Sequence, residues 1–293
     1  MHYKGVKDIL LPRGNGSFGM NPYRGCTHGC IYCDARSKCY QMQHPFEDVE
    51  VKRNAPELLE NALRRKRERC MIGTGAMCDP YLPLEAEEQI TLRCATLIEQ
   101  YGFGLSIHTK SDFLLRDLDL LKRINEKTKC VVQTTLTTLD EDLCRIVEPH
   151  VCTTARRAEM LKTLQKESIP TVVWISPILP FINDTEKNLR GLLRMCFEAD
   201  VKGIICFGMG VTLREGDRAY FYEKLDAHFP GMKQRYIQAF GNSYVCNSPN
   251  HKVLMQVLGT ECKQQGVLYR PENVFAYLET FEDKRAGEQL CLL

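Results

Sequence analysis

The chain has 293 residues, 39 Lys and Arg against 37 Asp and Glu, a net charge of +2 and 44% hydrophobic residues. That is enough apolar material for a large core, and the near balance of charge excludes a polycationic clamp that tracks a nucleic-acid backbone by counterion release. No leading segment resembles a signal peptide and no apolar run reaches about 18 residues, so a cytoplasmic protein is expected, neither exported nor membrane-spanning.

Strand-like runs near 18–24, 70–76, 104–109, 130–136, 171–177 and 203–208 alternate with helical periodicity over 56–69, 85–101, 111–126, 154–168 and 185–199. Leu114, Leu118 and Leu121 illustrate the helical spacing. Such alternation requires parallel strands joined by helical crossovers. The six units finish near residue 210, short of the roughly 250 residues of an eight-stranded barrel, so an α/β fold with a partial (β/α)6 barrel and an open lateral mouth is expected. Beyond it, FYEKLDAHFP, HKVLMQVLGTECKQQG and ENVFAYLETFE read as helices of a C-terminal cap over 211–293. No linker or repeat interrupts the chain, which reads as one domain with its core barrel over 18–210. The cationic run RRKRER at 64–69 ends a helix, where positive charge is favoured, and reads as a solvated helix end.

Of the 15 cysteines, Cys26, Cys30 and Cys33 stand at a three-then-two spacing in NPYRGCTHGCIYCDAR. That geometry suits three irons of a cubane cluster and leaves a fourth iron open for chemistry. The bland alternative is a zinc knot, but zinc wants four closed ligands, and only His28, between two of the cysteines, stands near enough to be the fourth. The other cysteines are scattered through apolar patterns and read as reduced, packed thiols. Cys196, Cys206, Cys246, Cys262 and Cys291 lie too far apart in sequence to suggest an auxiliary cluster.

CxxxCxxC with an aromatic before its last cysteine resembles the signature of the radical S-adenosylmethionine (SAM) superfamily. NPYRGCTHGCIYCDAR, GTGAMCDPYLPLE, IHTKSDFLLRDLDLL, TTLTTLDEDLCRIVEP and ISPILPFINDTE, spread over about residues 18–190, resemble more narrowly its spore photoproduct lyase-like branch. The resemblance implies the partial barrel, a 4Fe–4S cluster and SAM, whose methionine end binds the open iron. It also implies an electron donor such as flavodoxin or ferredoxin, and release of a 5'-deoxyadenosyl radical by reductive cleavage.

Strand ends should carry the cofactor site. Gly73 and Gly75 would admit close backbone approach. By resemblance, Cys78 and Asp79 fall near the methionine amino end, Lys110 pairs with its carboxylate and Tyr32 lies against the adenine; Thr135, ending the fourth strand, would donate its hydroxyl to the same carboxylate. Asn183 and Asp184 end the fifth strand, Arg214 follows the sixth, and Tyr236, Asn242 and Tyr244 with the CNSPNH turn at 246–251 would close as a lid; these are the candidate substrate residues. Asp184 is alternatively a cap for a helix beginning at Thr185.

Spore photoproduct lyases carry a hydrogen-donating cysteine where this chain has Ala76, and the positive groove needed to hold an extruded nucleotide is missing, which puts thymine-dimer repair in doubt. The expectation is a lyase acting on a free modified nucleoside or nucleotide, with queuosine or its 5'-monophosphate as the specific candidate and queuine as the released base. The radical would take a hydrogen from the sugar, and the sugar radical would expel the base. A DNA lesion-repair enzyme and a non-catalytic iron-sulfur sensor are the rivals.

Overall fold

The computed structural model describes residues 1–285, the Asn15 side chain apart; Cys291 lies outside the described residues. At its centre are six parallel strands: β1 Phe18–Gly19, β2 Met71–Thr74, β3 Gly104–His108, β4 Cys130–Thr135, β5 Thr171–Trp174 and β6 Gly203–Ile205. They pair in chain order, with Leu11–Pro12 added antiparallel beyond β1. β6 and Leu11–Pro12 are the two edges of this sheet and do not pair with each other, so the sheet is open, consistent with a partial rather than a closed barrel.

Helices α1 Ala55–Arg65, α2 Ile90–Tyr101, α3 Leu118–Lys127, α4 Thr154–Lys166 and α5 Glu186–Glu198 are the crossovers. β4 is buried throughout, as a parallel strand covered on both faces must be. Alternation puts Cys130 and Val132 outward against Ile124 and Leu164, and Val131, Gln133 and Thr135 on the concave side.

Three expected elements divide. Of 18–24, only Phe18–Gly19 joins the central sheet; Tyr23–Arg24 pairs with Glu50–Val51, which also pairs with His2–Tyr3. The 85–101 helix breaks at Gln89, whose φ is 51°. The buried Glu85 carboxylate turns there to accept from the Thr91 and Leu92 N–H groups, both at 3.0 Å, satisfying the first turn of α2. The 111–126 stretch opens as a 3-10 segment, Asp112–Asp117, before α3. A short helix, Glu141–Val147, had no counterpart in the sequence reading.

Beyond the sheet come α6 Asp217–His228, α7 Met232–Phe240, α8 His251–Gln265 and α9 Pro271–Glu279. α8 lies on α5, where Leu254, Leu258 and Cys262 meet Leu189, Leu192 and Cys196. α9 enters the concave face: Val274 and Leu278 pack on Val131, Val172 and Ile205, and Phe275 reaches Trp174. These two helices therefore do not close over the mouth. One packs outside the sheet, and the other fills the hollow an open sheet would leave to water.

Candidate active site

Cys26, Cys30 and Cys33 sit on a loop pinned at both ends. The Cys26 N–H donates to the Phe46 carbonyl at 2.9 Å and the Ile31 N–H to Val147 at 3.0 Å. All three cysteines are free thiols. Burial pushes Cys26 up to about 12 and raises Cys30 and Cys33 as well, while the nearby Lys110 ammonium pulls the latter two back.

Strand ends β2 to β5 converge beside this loop. A Cβ on Gly75 would lie 1.9 Å from the His108 carbonyl, and Gly75 has φ +96°, so glycine is required there. At Gly73 the close neighbour is the Arg13 side chain, 2.2 Å from where a Cβ would stand, so that glycine admits an arginine from the chain itself.

Asp79 joins strand ends. Its Oδ1 accepts from Thr109 Oγ1 at 2.7 Å and Tyr81 N–H at 2.9 Å, and its Oδ2 from the Lys110 N–H at 2.8 Å. His28 Nδ1 is 3.4 Å from the same Oδ2, so His28 faces a carboxylate.

Lys110 is further held through its carbonyl, which accepts from Cys152 Sγ at 3.0 Å. Burial lowers its ammonium, but Cys30, Glu148 and Cys33 raise it net above its ordinary value. His108, two residues earlier on the same face, lies 3.1 Å through Nε2 from Thr135 Oγ1 and stacks on Trp174 with centroids 5.1 Å apart. Burial first, then Lys110, depresses His108 to about 3, so its ring is neutral at ordinary pH.

Beneath these groups lies a fully buried network. The Tyr32 hydroxyl donates to Glu148, Glu148 pairs with Arg157, and Arg157 Nη1 donates to the Thr135 carbonyl at 2.6 Å. Burial opposes ionisation of Glu148, yet Arg157 and Lys110 hold its carboxyl below the usual range.

A cavity of about 480 Å³ opens at these strand ends, and Tyr32, Cys33, Lys110, Thr135, Trp174, Phe207 and Tyr244 are among the residues that line it. Ala76 and His108 also line it. The sequence reading missed His108, Trp174, Phe207, Glu148 and Arg157. Two-residue alternation from Lys110 would have found His108, and Trp174 is the one tryptophan of the chain.

Other expected site residues lie elsewhere. Cys78 Sγ donates to the Gly25 carbonyl at 2.6 Å, and neither Cys78 nor Asp79 lines the cavity. Asn183 bonds Leu179 N–H and the Thr137 carbonyl, bracing a loop. Asp184 accepts from Ser248, while the cap of α5 is Thr185, which accepts from the Asn188 N–H at 3.2 Å. Tyr236 is fully buried among Phe181, Phe221 and Phe240. Arg214, Asn242 and Tyr244 line an adjoining outer recess of about 820 Å³. Arg214 ties that recess to the cysteine loop, 3.3 Å from Asp34 and 2.6 Å from the Tyr244 hydroxyl. Cys196, Cys206 and Cys262, distant in sequence, share one apolar cluster.

The chemistry of the donor set fits an iron-sulfur cluster better than one zinc ion. Among the described residues, the group of three ligand atoms found within 4.8 Å of one another is His2, His44 and Asp48. The three sulfurs are therefore spread wider than a single tetrahedral ion, with Zn–S near ~2.3 Å, would draw them. To serve as ligands these buried thiols must lose their protons, which a cationic metal centre at the loop would drive.

The sequence pattern of the Radical SAM superfamily matches residues 20–225. An uncharacterized protein of Mycobacterium tuberculosis is 30% identical over 231 residues, covering 76% of this chain and 67% of its own. Another, from Methanocaldococcus jannaschii, is 34% identical over 185 residues, 62% of this chain and 68% of its own. The fold also resembles that of a spore photoproduct lyase variant solved with AdoMet and dinucleoside spore photoproduct. That likeness has a TM-score of 0.63 at 13% identity and covers 90% of this chain and 80% of that one. The match spans well over half the chain and includes the cysteine loop and the ends of β2 to β6, so the protein belongs to the radical SAM superfamily of enzymes, which use a 4Fe–4S cluster and S-adenosylmethionine.

Proposed function

We propose that the protein is a radical SAM lyase that cleaves the glycosidic bond of a small modified nucleoside or nucleotide, with queuosine or its 5'-monophosphate as the specific substrate and queuine as the product. The observation that carries this reading is the cavity itself. Cys33, Lys110, Thr135 and Tyr32 line it together with Phe207 and with Trp174, whose ring stacks on His108. The cavity of about 480 Å³ adjoins, at Tyr244, the recess of about 820 Å³, and both volumes are in the range of small-molecule sites.

Cys26, Cys30 and Cys33 would hold the cluster. When bound, the cluster and SAM supply a 5'-deoxyadenosyl radical, the hydrogen-abstracting group of the family. Lys110 would take the methionine carboxylate, with the Thr135 hydroxyl beside it. Tyr32 would offer its ring to the adenine, since its hydroxyl is engaged by Glu148. His108, neutral and hydrogen-bonded to Thr135, would present no charge to a departing base.

Ala76 lines the cavity, and Cys78 turns its thiol to Gly25. No hydrogen donor therefore stands where spore photoproduct lyases carry one, which favours a free-nucleoside lyase over thymine-dimer repair. The electron would come from a small carrier of the flavodoxin or ferredoxin class.

The test is anaerobic incubation of the reconstituted, reduced protein with SAM and either queuosine or its 5'-monophosphate, read by mass spectrometry. Release of queuine supports the reading. Formation of 5'-deoxyadenosine without queuine would leave the radical chemistry and remove this substrate.

A further inference from the structure

We propose that His2, His44 and Asp48 form a second metal site, for a divalent cation of the zinc class, separate from the cysteine loop and bracing it. Their candidate donor atoms lie within 4.8 Å of one another. His2 Nδ1 is 3.0 Å and His44 Nδ1 3.8 Å from the same Asp48 oxygen, Oδ2. The other Asp48 oxygen accepts the Met1 amino group at 3.0 Å. Two imidazoles and a carboxylate are a donor set for borderline divalent ions, and three protein ligands leave the fourth tetrahedral position to water.

The second observation is the environment of His44. Its Nε2 lies 2.9 Å from Oε1 of the buried Glu50, while its Nδ1 lies 3.1 Å from the Pro45 carbonyl and 3.8 Å from Asp48 Oδ2, so an ion taken up at Nδ1 would displace the Pro45 contact. A carboxylate behind a histidine is how metal-binding imidazoles are oriented and made more basic. Glu50 is anchored in turn by Lys4 at 3.0 Å. The imidazole rings of His2 and His44 are in edge-to-face contact, with centroids 4.6 Å apart.

The site joins segments distant in sequence. His2 lies on the strand that pairs with Glu50–Val51, and that strand pairs with Tyr23–Arg24, directly before the cysteine loop. Between His44 and Asp48, the Phe46 carbonyl accepts the Cys26 N–H at 2.9 Å. An ion across His2, His44 and Asp48 would therefore fix the segment that holds the first cysteine.

The test is equilibrium dialysis of the cluster-loaded protein, its three cysteines occupied by iron, against Zn²⁺ buffered with a weak chelator, with metals counted by mass spectrometry. One zinc per chain is expected in the parent protein and none in Asp48→Asn or His2→Ala. Both positions are partly exposed, so the variants should fold, which circular dichroism checks. Glu50→Gln should keep the site but weaken it by roughly ten- to a hundredfold, as loss of an outer partner does. Zinc bound equally by parent and variants, or not bound by the parent, would overturn the proposal. Neither result touches the lyase reading.

Discussion

The Lys110 ammonium stands 5.7 Å from the centre of the Tyr32 ring, at the meeting of β3 and the cysteine loop. One comes from the third strand end and the other from between two cysteines, so the fold brings together a cation and an aromatic face some 80 residues apart in sequence. Lys110→Ala should weaken SAM binding by roughly ten- to a hundredfold, the loss of one charge-assisted hydrogen bond, and leave iron content unchanged. Calorimetry on the cluster-loaded protein checks it.

Cys30→Ala should remove the cluster and with it all 5'-deoxyadenosine. Iron analysis and the electron paramagnetic resonance signal of the reduced protein are the readouts. Chelation of iron from the parent protein should have the same effect, reversibly on reconstitution.

Arg157 and Glu148 are a fully buried ion pair. Arg157→Ala leaves the Glu148 carboxylate without its cation and the Thr135 carbonyl without its donor, at a cost of about 3–5 kcal/mol of stability. Chemical denaturation should show this as a lower midpoint, with Tyr32→Phe far milder because Glu148 keeps its arginine.

His108 is depressed to about 3, from burial first and Lys110 second. The unfolded chain takes up a proton near pH 6.5 that the folded chain refuses until about pH 3, so His108 makes stability fall as pH drops through that window and adds no slope above it. Imidazole resonances followed by NMR should show the His108 ring untitrated down to pH 5, a resonance absent in His108→Gln. Lys110→Met should raise its titration.

Phe207 is 65% exposed although it lines the cavity. Phe207→Ala should fold normally and raise the KM for a nucleoside by roughly two- to tenfold, the worth of one aromatic contact, with SAM affinity unchanged.

The cysteine spacing and the strand-helix alternation were legible in the sequence because each is local. Cys26, Cys30 and Cys33 fall within one short loop, and the Val-rich core of β4 declares itself. The local partners of Asp79, Asn183, Asp184 and Tyr236 were not legible because a polar residue after a strand has the same local signature whether it faces a ligand or ties two loops. Only long-range partners such as Thr109 for Asp79 and Pro180 for Tyr236 separate the two cases. Glu148 and Arg157 were invisible because an acid just past one helix and a base nine residues on, within the next, read as surface charge. The place of α9 was hidden for a related reason: an amphipathic helix does not announce which face of a sheet it covers.

The most direct measurement is the isotope content of 5'-deoxyadenosine formed when the reduced protein acts on a queuosine substrate whose ribose is deuterated. Deuterium recovered in 5'-deoxyadenosine, together with free queuine, is the predicted result. Queuine release with unlabelled 5'-deoxyadenosine, or an intact cluster that leaves SAM uncleaved in the presence of the nucleoside, would contradict it.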